Sequence, residues 1–412
     1  MEKALSEMIP YWNSIREFLA QLRGSIPTNV LLLLPVVVMI WYRSRSDGPK
    51  SSGTTRKLTV VAEDDFPPIQ PLDKFNWEAT EPIQLRPYKP KYNLTMALET
   101  LEPSELIPID KEYKDRSPNA EESLKNTTTL PLGIRSAAGK GQSDVDGNEL
   151  PLAHDAICEL YEFVMGIYLP NRYPTMFKLI EAKYESCKVF MLQNKVTGEV
   201  LPASVSPGRP LVNALETLGK TVDEDMLVLL PMESSGNERE KPSSLKYALQ
   251  AYVTCFPSGF NTREKLGKQL NGVHEPVPGY REKIEKSMDR YFEKLEVGKF
   301  VKRVNWSITT GAGLFYAFGD KQGMKQLRLE QLDMDDTFLR CERQTLYRLP
   351  KSGAIVFSIH TYRYPIRQLK EEGSGEDLAA AIEGIENGNV PLMAEYKKVP
   401  VWGEAVKKYL RS

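Results

Sequence analysis

Histidine and cysteine are scarce in this chain. Three histidines and four cysteines among 412 residues leave little material for a multi-histidine metal centre. Cys158, Cys187, Cys255 and Cys341 are far apart and form no C-x-x-C pair, which argues against a zinc ribbon or a disulfide framework and suits reduced thiols. Excess charge of one sign is also missing, with 54 Lys and Arg against 55 Asp and Glu. Without a basic excess or an arginine-rich stripe, no nucleic acid partner is expected. Nucleotide fingerprints fail as well. Gly133 and Gly139 are one residue too far apart for a phosphate loop, and Gly141 replaces the hydroxyl residue that would follow Lys140. Gly311-Ala312-Gly313 is followed by Tyr316 where a dinucleotide turn needs Gly or Ala, so no NAD or flavin site is expected.

The N-terminal part has its own character. Leu5, Met8, Trp12, Ile15, Leu19 and Leu22 recur at helical spacing, which predicts an amphipathic segment over 1–25. Residues 26–43 are strongly apolar and just short of the ~20 residues that span a bilayer. We expect a transmembrane helix there, because the polar stretch before it is too long for a signal peptide and no cleavage pattern follows. Arg43, Arg45, Lys50, Arg56 and Lys57 after the span outweigh Lys3, Arg16 and Arg23 before it, which predicts a single-pass membrane protein with its C-terminal domain in the cytosol. Residues 44–90 read as a Pro- and Ser-rich tether. The main domain then covers 91–412, with a surface insertion near 136–149 and an acidic insertion near 370–390 that carries a short Ala-rich helix.

Within that domain, mixed periodicity predicts an α+β fold. Helices are expected over His154–Leu169, closed by Pro170 and Pro174, and over Asn261–Leu270 and Tyr280–Leu295. Strands are expected at Cys187–Leu192 and Glu199–Ala203, at Val301–Thr310, and in a hairpin of Phe338–Leu349 and Ala354–Tyr364 joined by Pro350-Lys351-Ser352-Gly353. His274 stands out among the histidines. It sits between Asn271-Gly272, which can end a helix, and Pro276 and Pro278, which stiffen the chain after it. Such a mounting suits a metal ligand, a catalytic base, or simply a helix cap. His154 reads as a solvated cap, and His360 shares a strand face with Val356, Ser358, Tyr362 and Tyr364.

Several runs resemble the heme-dependent oxidative N-demethylase alpha-subunit-like family: Thr254-Cys255-Phe256-Pro257-Ser258-Gly259, Val273-His274-Glu275-Pro276-Val277-Pro278, Glu342-Arg343-Gln344-Thr345-Leu346, Arg348-Leu349-Pro350 and Ser352-Gly353-Ala354. That resemblance implies a PAS-like antiparallel sheet packed with helices around heme b, and an oxygen-dependent demethylation of a small amine fed by a separate electron-donating reductase. It also implies His274 as the axial ligand; Cys255, beside Pro257 in one of these runs, and His360, which the family pattern does not require, are the alternatives. Arg343 and Arg348 suit heme propionates, because an arginine fork fits a carboxylate, and suit structural ion pairs equally well. The alternative function is a non-catalytic, membrane-tethered heme sensor or binding protein.

Overall fold

The longest β-branched and aromatic runs of the sequence form the middle of an antiparallel sheet. The computed structural model describes residues 65–116, 132–135, 152–184, 187–206, 209–232, 245–257, 261–310 and 328–412. The expected membrane span at 26–43, the amphipathic segment at 1–25 and the insertion at 136–149 lie outside them. Among the described residues no helix is long and apolar enough to cross a membrane.

Seven strands pair in the order β1-β8-β9-β10-β6-β7-β2: β1 Glu99–Leu101, β2 Leu132–Ile134, β6 Asp225–Met232, β7 Lys246–Val253, β8 Phe300–Thr310, β9 Thr337–Arg348 and β10 Ile355–Pro365. A smaller sheet joins β3 Phe177–Tyr184, β4 Cys187–Asn194 and β5 Val200–Pro202; the strands expected at Cys187–Leu192 and Glu199–Ala203 are β4 and β5, and β3 was not expected. β9 and β10 pair along their whole length, from Ile355 opposite Arg348 to Pro365 opposite Phe338. Their turn is held by Gly353 at φ +67 and by the buried Glu159 carboxylate, which accepts from the Lys351 and Ser352 amides at 2.7 Å each.

Successive strand residues point to opposite faces, and here each face meets its own core. Val356 and Tyr347 pack with Leu160, Phe163 and Tyr168, from α1 (His154–Glu162) and the π-helical turn Phe163–Tyr168 that continues it into α2 (Leu169–Arg172). α3 (Leu211–Thr221) joins the same side. Ile355, Leu346 and Ile359 pack on the other side with Tyr280, Met288, Phe292, Ile382 and Trp402. The helices there are α4 (Leu270–Val273), α5 (Tyr280–Lys283), α6 (Glu285–Lys294), α7 (Ile366–Glu371), α8 (Gly375–Glu386), α9 (Met393–Tyr396) and α10 (Val399–Arg411). With both faces covered, β9 and β10 are buried at nearly every position, which is why their sequences alternate so weakly.

Several local expectations change. The segment read as a tether is docked from residue 65 onward. Phe66 is buried and stacks on Phe163 at 4.1 Å, and Phe75 lies against Tyr173. Prolines prevent regular hydrogen bonding there, yet the aromatic side chains still find the core. The acidic stretch near 370–390 holds the expected Ala-rich helix, and that helix is part of the core: α8 buries Leu378, Ala379, Ala381, Ile382 and Ile385. Gly384 lets residues 90–92 cross it closely: a Cβ there would stand 2.6 Å from the Pro90 carbonyl, and its own carbonyl accepts from the Tyr92 amide. Pro170 does not end the first helix but starts α2, where its missing N–H is not needed. The helix expected at Asn261–Leu270 is a single turn at Arg263–Lys265, broken by Gly267 at φ +80. The one expected at Tyr280–Leu295 divides at Ile284 into α5 and α6.

Candidate functional site

His274 closes α4. Its backbone N–H donates to the Leu270 carbonyl at 3.0 Å, and its ring Nδ1 lies 2.8 Å from the same oxygen. A carbonyl only accepts, so Nδ1 carries the proton and Nε2 keeps its lone pair. The ring stacks on Tyr280 at 4.6 Å and 7°. Gly279, at φ +72 and pressed against Val390, delivers Tyr280 to that position; Gly272, expected to be the left-handed residue, lies inside the helical turn. Burial lowers the His274 pKa to about 4, opposed by the Leu270 carbonyl and assisted by the charges of Lys265 and Arg303. The imidazole is therefore neutral at pH 7, the form that binds metal.

Arg303 of β8 supplies the nearby positive charge. It is half-buried, burial lowers its pKa, and its Nε has no hydrogen-bond partner. Across the strands it faces Gln344, and its neighbour on the same face, Asn305, faces Glu342. The Glu342 carboxylate accepts from Gln344 and Asn305 rather than from a guanidinium. Lys397 completes this side, donating to the Trp306 carbonyl at 2.5 Å and to Asn305 at 3.0 Å; burial lowers its pKa to about 8.

The other expected residues lie apart from this group. Arg343 donates to the Leu106 and Glu105 carbonyls at 2.9 and 2.6 Å. Arg348 donates to the carbonyls of Leu295, Phe292 and Gly353 and to the Tyr247 hydroxyl. Both forks are thus occupied by protein oxygens that tie loops to β9. Cys255 is buried, with its amide on the Asp225 carboxylate, and burial together with the Asp225 and Asp223 charges pushes its thiol well above the ordinary range. Such a thiol is a poor thiolate donor. His360 is 1% exposed, and the Arg116 guanidinium stands 3.3 Å from its Nε2, a cation where an iron would have to sit.

Sequence reading assigned no role to the segment Asp223-Glu224-Asp225 that precedes and opens β6. All three carboxyls are buried; burial raises Asp223 and Glu224 to about 8 and Asp225 to about 7, against the pull of Arg116, Arg343 and two backbone amides respectively. Three consecutive acids give no hint of burial in one sequence; only the flanking apolar residues Val222 and Met226 do. A cleft of about 480 Å³ opens nearby, with Arg116 and Tyr362 in its lining. His274 is not part of that lining.

Residues 97–407 match the family model described as Haem-dependent oxidative N-demethylase, alpha subunit-like. The chain belongs to this family. The match continues through α8 to α10, well past Ala354, the last residue of the motifs that carry the resemblance. Membership in a heme-dependent family makes a porphyrin the group to test against the site. Among the described residues no cluster of three or more His, Cys, Asp or Glu side chains is arranged for a bare metal ion. Heme needs only an axial donor from the protein and partners for its carboxylates. The His274 Nε2 lone pair would serve as that donor, and Arg303, whose buried Nε has no hydrogen-bond partner, would be the cation beside it.

Proposed function

We propose that this oxidative N-demethylase alpha-subunit-like chain binds heme b with His274 as axial ligand and oxidises a small amine with molecular oxygen. The observation that carries this reading is the 2.8 Å contact of His274 Nδ1 with the Leu270 carbonyl. Metal-ligating histidines almost always donate their second ring N–H in this way, which fixes the tautomer and the ring plane. The Tyr280 ring below the imidazole prevents its rotation. Arg303 fits a heme carboxylate better than Arg343 or Arg348, whose donors already have protein acceptors. A PAS-like cradle for the cofactor is the finer expectation of the fold, supported by the antiparallel sheet with helices on both faces.

Bound heme supplies the oxygen-activating redox chemistry that amino-acid side chains lack. In the overall reaction one oxygen atom ends in formaldehyde derived from the amine's methyl group, and the other is reduced to water. No nicotinamide or flavin fingerprint occurs in the sequence, so the electrons come from a separate reductase. We further propose that residues 26–43 tether the domain to a membrane on its cytosolic side, a reading supported by the apolar run and the flanking Arg and Lys. The test is amine-dependent oxygen uptake and formaldehyde release by the full chain with a reductase and NADPH, across a panel of methylated amines. Turnover supports the enzyme. Heme binding without turnover on any amine would leave a heme sensor or carrier.

A further inference from the structure

Buried polar atoms without partners are rare in folded proteins, and each one calls for an explanation such as ordered water. Several of them gather in one place, away from His274. Asp110 Oδ2, Asp223 Oδ1, both Glu224 carboxyl oxygens, His360 Nδ1 and the Tyr362 hydroxyl are all buried without a hydrogen bond. Ser358 lies close enough to lower the Glu224 pKa, but neither Glu224 oxygen has a bond of normal geometry.

The surrounding groups give the cluster a direction. Arg116, 5% exposed, donates to Asp223 at 2.9 Å, to Glu112 at 2.7 Å and to the Thr361 carbonyl at 2.7 Å. Its Nη1 also stands 3.3 Å from His360 Nε2, which lies 3.6 Å from the Asp223 carboxylate. From β10, His360 Nδ1 lies 3.9 Å from Glu224, too far for a direct bond. From β9, Arg343 attracts Glu224 only at a distance, since its donors are on carbonyls, while Arg340 draws on Asp225. Asp225 is itself bound to the Cys255 and Phe256 amides. Tyr168, Tyr173 and Tyr347 also lie near Glu224. Carboxyls thus outnumber the guanidinium groups that pair with them, and the cluster has no geometry for a bare metal ion. A proton carried by water is the cation that fits.

Arg116 and Tyr362 belong both to this cluster and to the lining of the cleft, so they form the boundary between it and solvent. We propose that Asp223, Glu224 and His360 enclose a hydrated proton-holding site, which exchanges its proton with water in the cleft past Arg116 and the Tyr362 hydroxyl. The step is a proton transfer from a cleft water to a carboxylate and back, with no change of electrons. This site does not depend on heme.

The experiment is infrared spectroscopy of the full chain near pH 7, before and after transfer to deuterated buffer. A protonated-carboxyl C=O band is expected at neutral pH, shifting promptly on deuteration. Glu224→Gln and, independently, Asp223→Asn each reduce it, with folding checked by thermal melting. Tyr362→Phe keeps the band and slows its deuterium shift by about tenfold, equivalent to ~1.4 kcal/mol of barrier. Absence of the band from the folded wild type would overturn the proposal. So would a band that shifts only at the rate of global unfolding, because the site would then be sealed and purely structural.

Discussion

Replacement of Arg348 by alanine separates two uses of an arginine fork. In the structure Arg348 Nε donates to the Leu295 carbonyl at 2.6 Å, Nη1 to Tyr247 at 2.8 Å and to the Gly353 carbonyl at 2.7 Å, and Nη2 to the Phe292 carbonyl at 2.6 Å. It thereby ties the end of α6 and the β9–β10 turn to one side chain. Charge-assisted bonds contribute roughly 1.5–3 kcal/mol each when buried, but this side chain is half-buried and water can reach the orphaned carbonyls. We therefore take about 1 kcal/mol per bond, for a total loss of ~3–4 kcal/mol. In a domain of this size each kcal/mol lowers the melting temperature by about 2 °C, so the expected drop is ~7 °C. Arg348→Lys keeps the charge without the planar fork and recovers only part of it. The assay pairs a thermal melt with a heme titration of the folded variant. An unchanged melting temperature with heme affinity tenfold weaker would refute the structural role and restore Arg348 as a propionate partner.

Glu159→Gln replaces a carboxylate that caps two turn amides with a group offering a single acceptor, and should cost about 2 kcal/mol in denaturant unfolding; no loss would mean the turn holds itself. Gly279→Ala forces a left-handed residue and sets its Cβ 2.9 Å from Val390, so about 1–2 kcal/mol of stability should be lost and heme affinity should fall with the displaced Tyr280. Buried Asp223, Glu224 and Asp225 hold protons more tightly folded than unfolded, so the folded state binds more protons and stability falls as pH rises from about 4 towards about 8. Glu224→Gln should flatten that slope and raise the melting temperature at about pH 8; a slope equal to wild type would contradict the raised carboxyl.

Much of the fold is legible because strands with both faces covered are written as dense runs of β-branched and aromatic residues. The β9–β10 hairpin shows this, with Pro350-Lys351-Ser352-Gly353 between two such runs. What stayed hidden depends on distant partners. The docking of Phe66 cannot be inferred from a Pro-rich stretch without Phe163 opposite it. α8 looks like an acidic insertion until the crossing at Gly384 shows why small residues recur there. At the site, the stiff loop after His274 was visible from Pro276 and Pro278, whereas the Leu270 carbonyl that selects its tautomer was not. Arg303 carried no motif at all. What sets it apart is a buried Nε without a hydrogen-bond partner, which only the folded arrangement shows.

The central claim is that His274 is the donor that holds heme. It is tested most directly by loading the purified domain with heme and recording oxidised, reduced and CO-bound absorption spectra of wild type, His274→Ala and His360→Ala. The account predicts stoichiometric heme with an imidazole-type spectrum in wild type and His360→Ala, and loss or change of that spectrum in His274→Ala alone. Heme bound with the same spectrum in His274→Ala would contradict it.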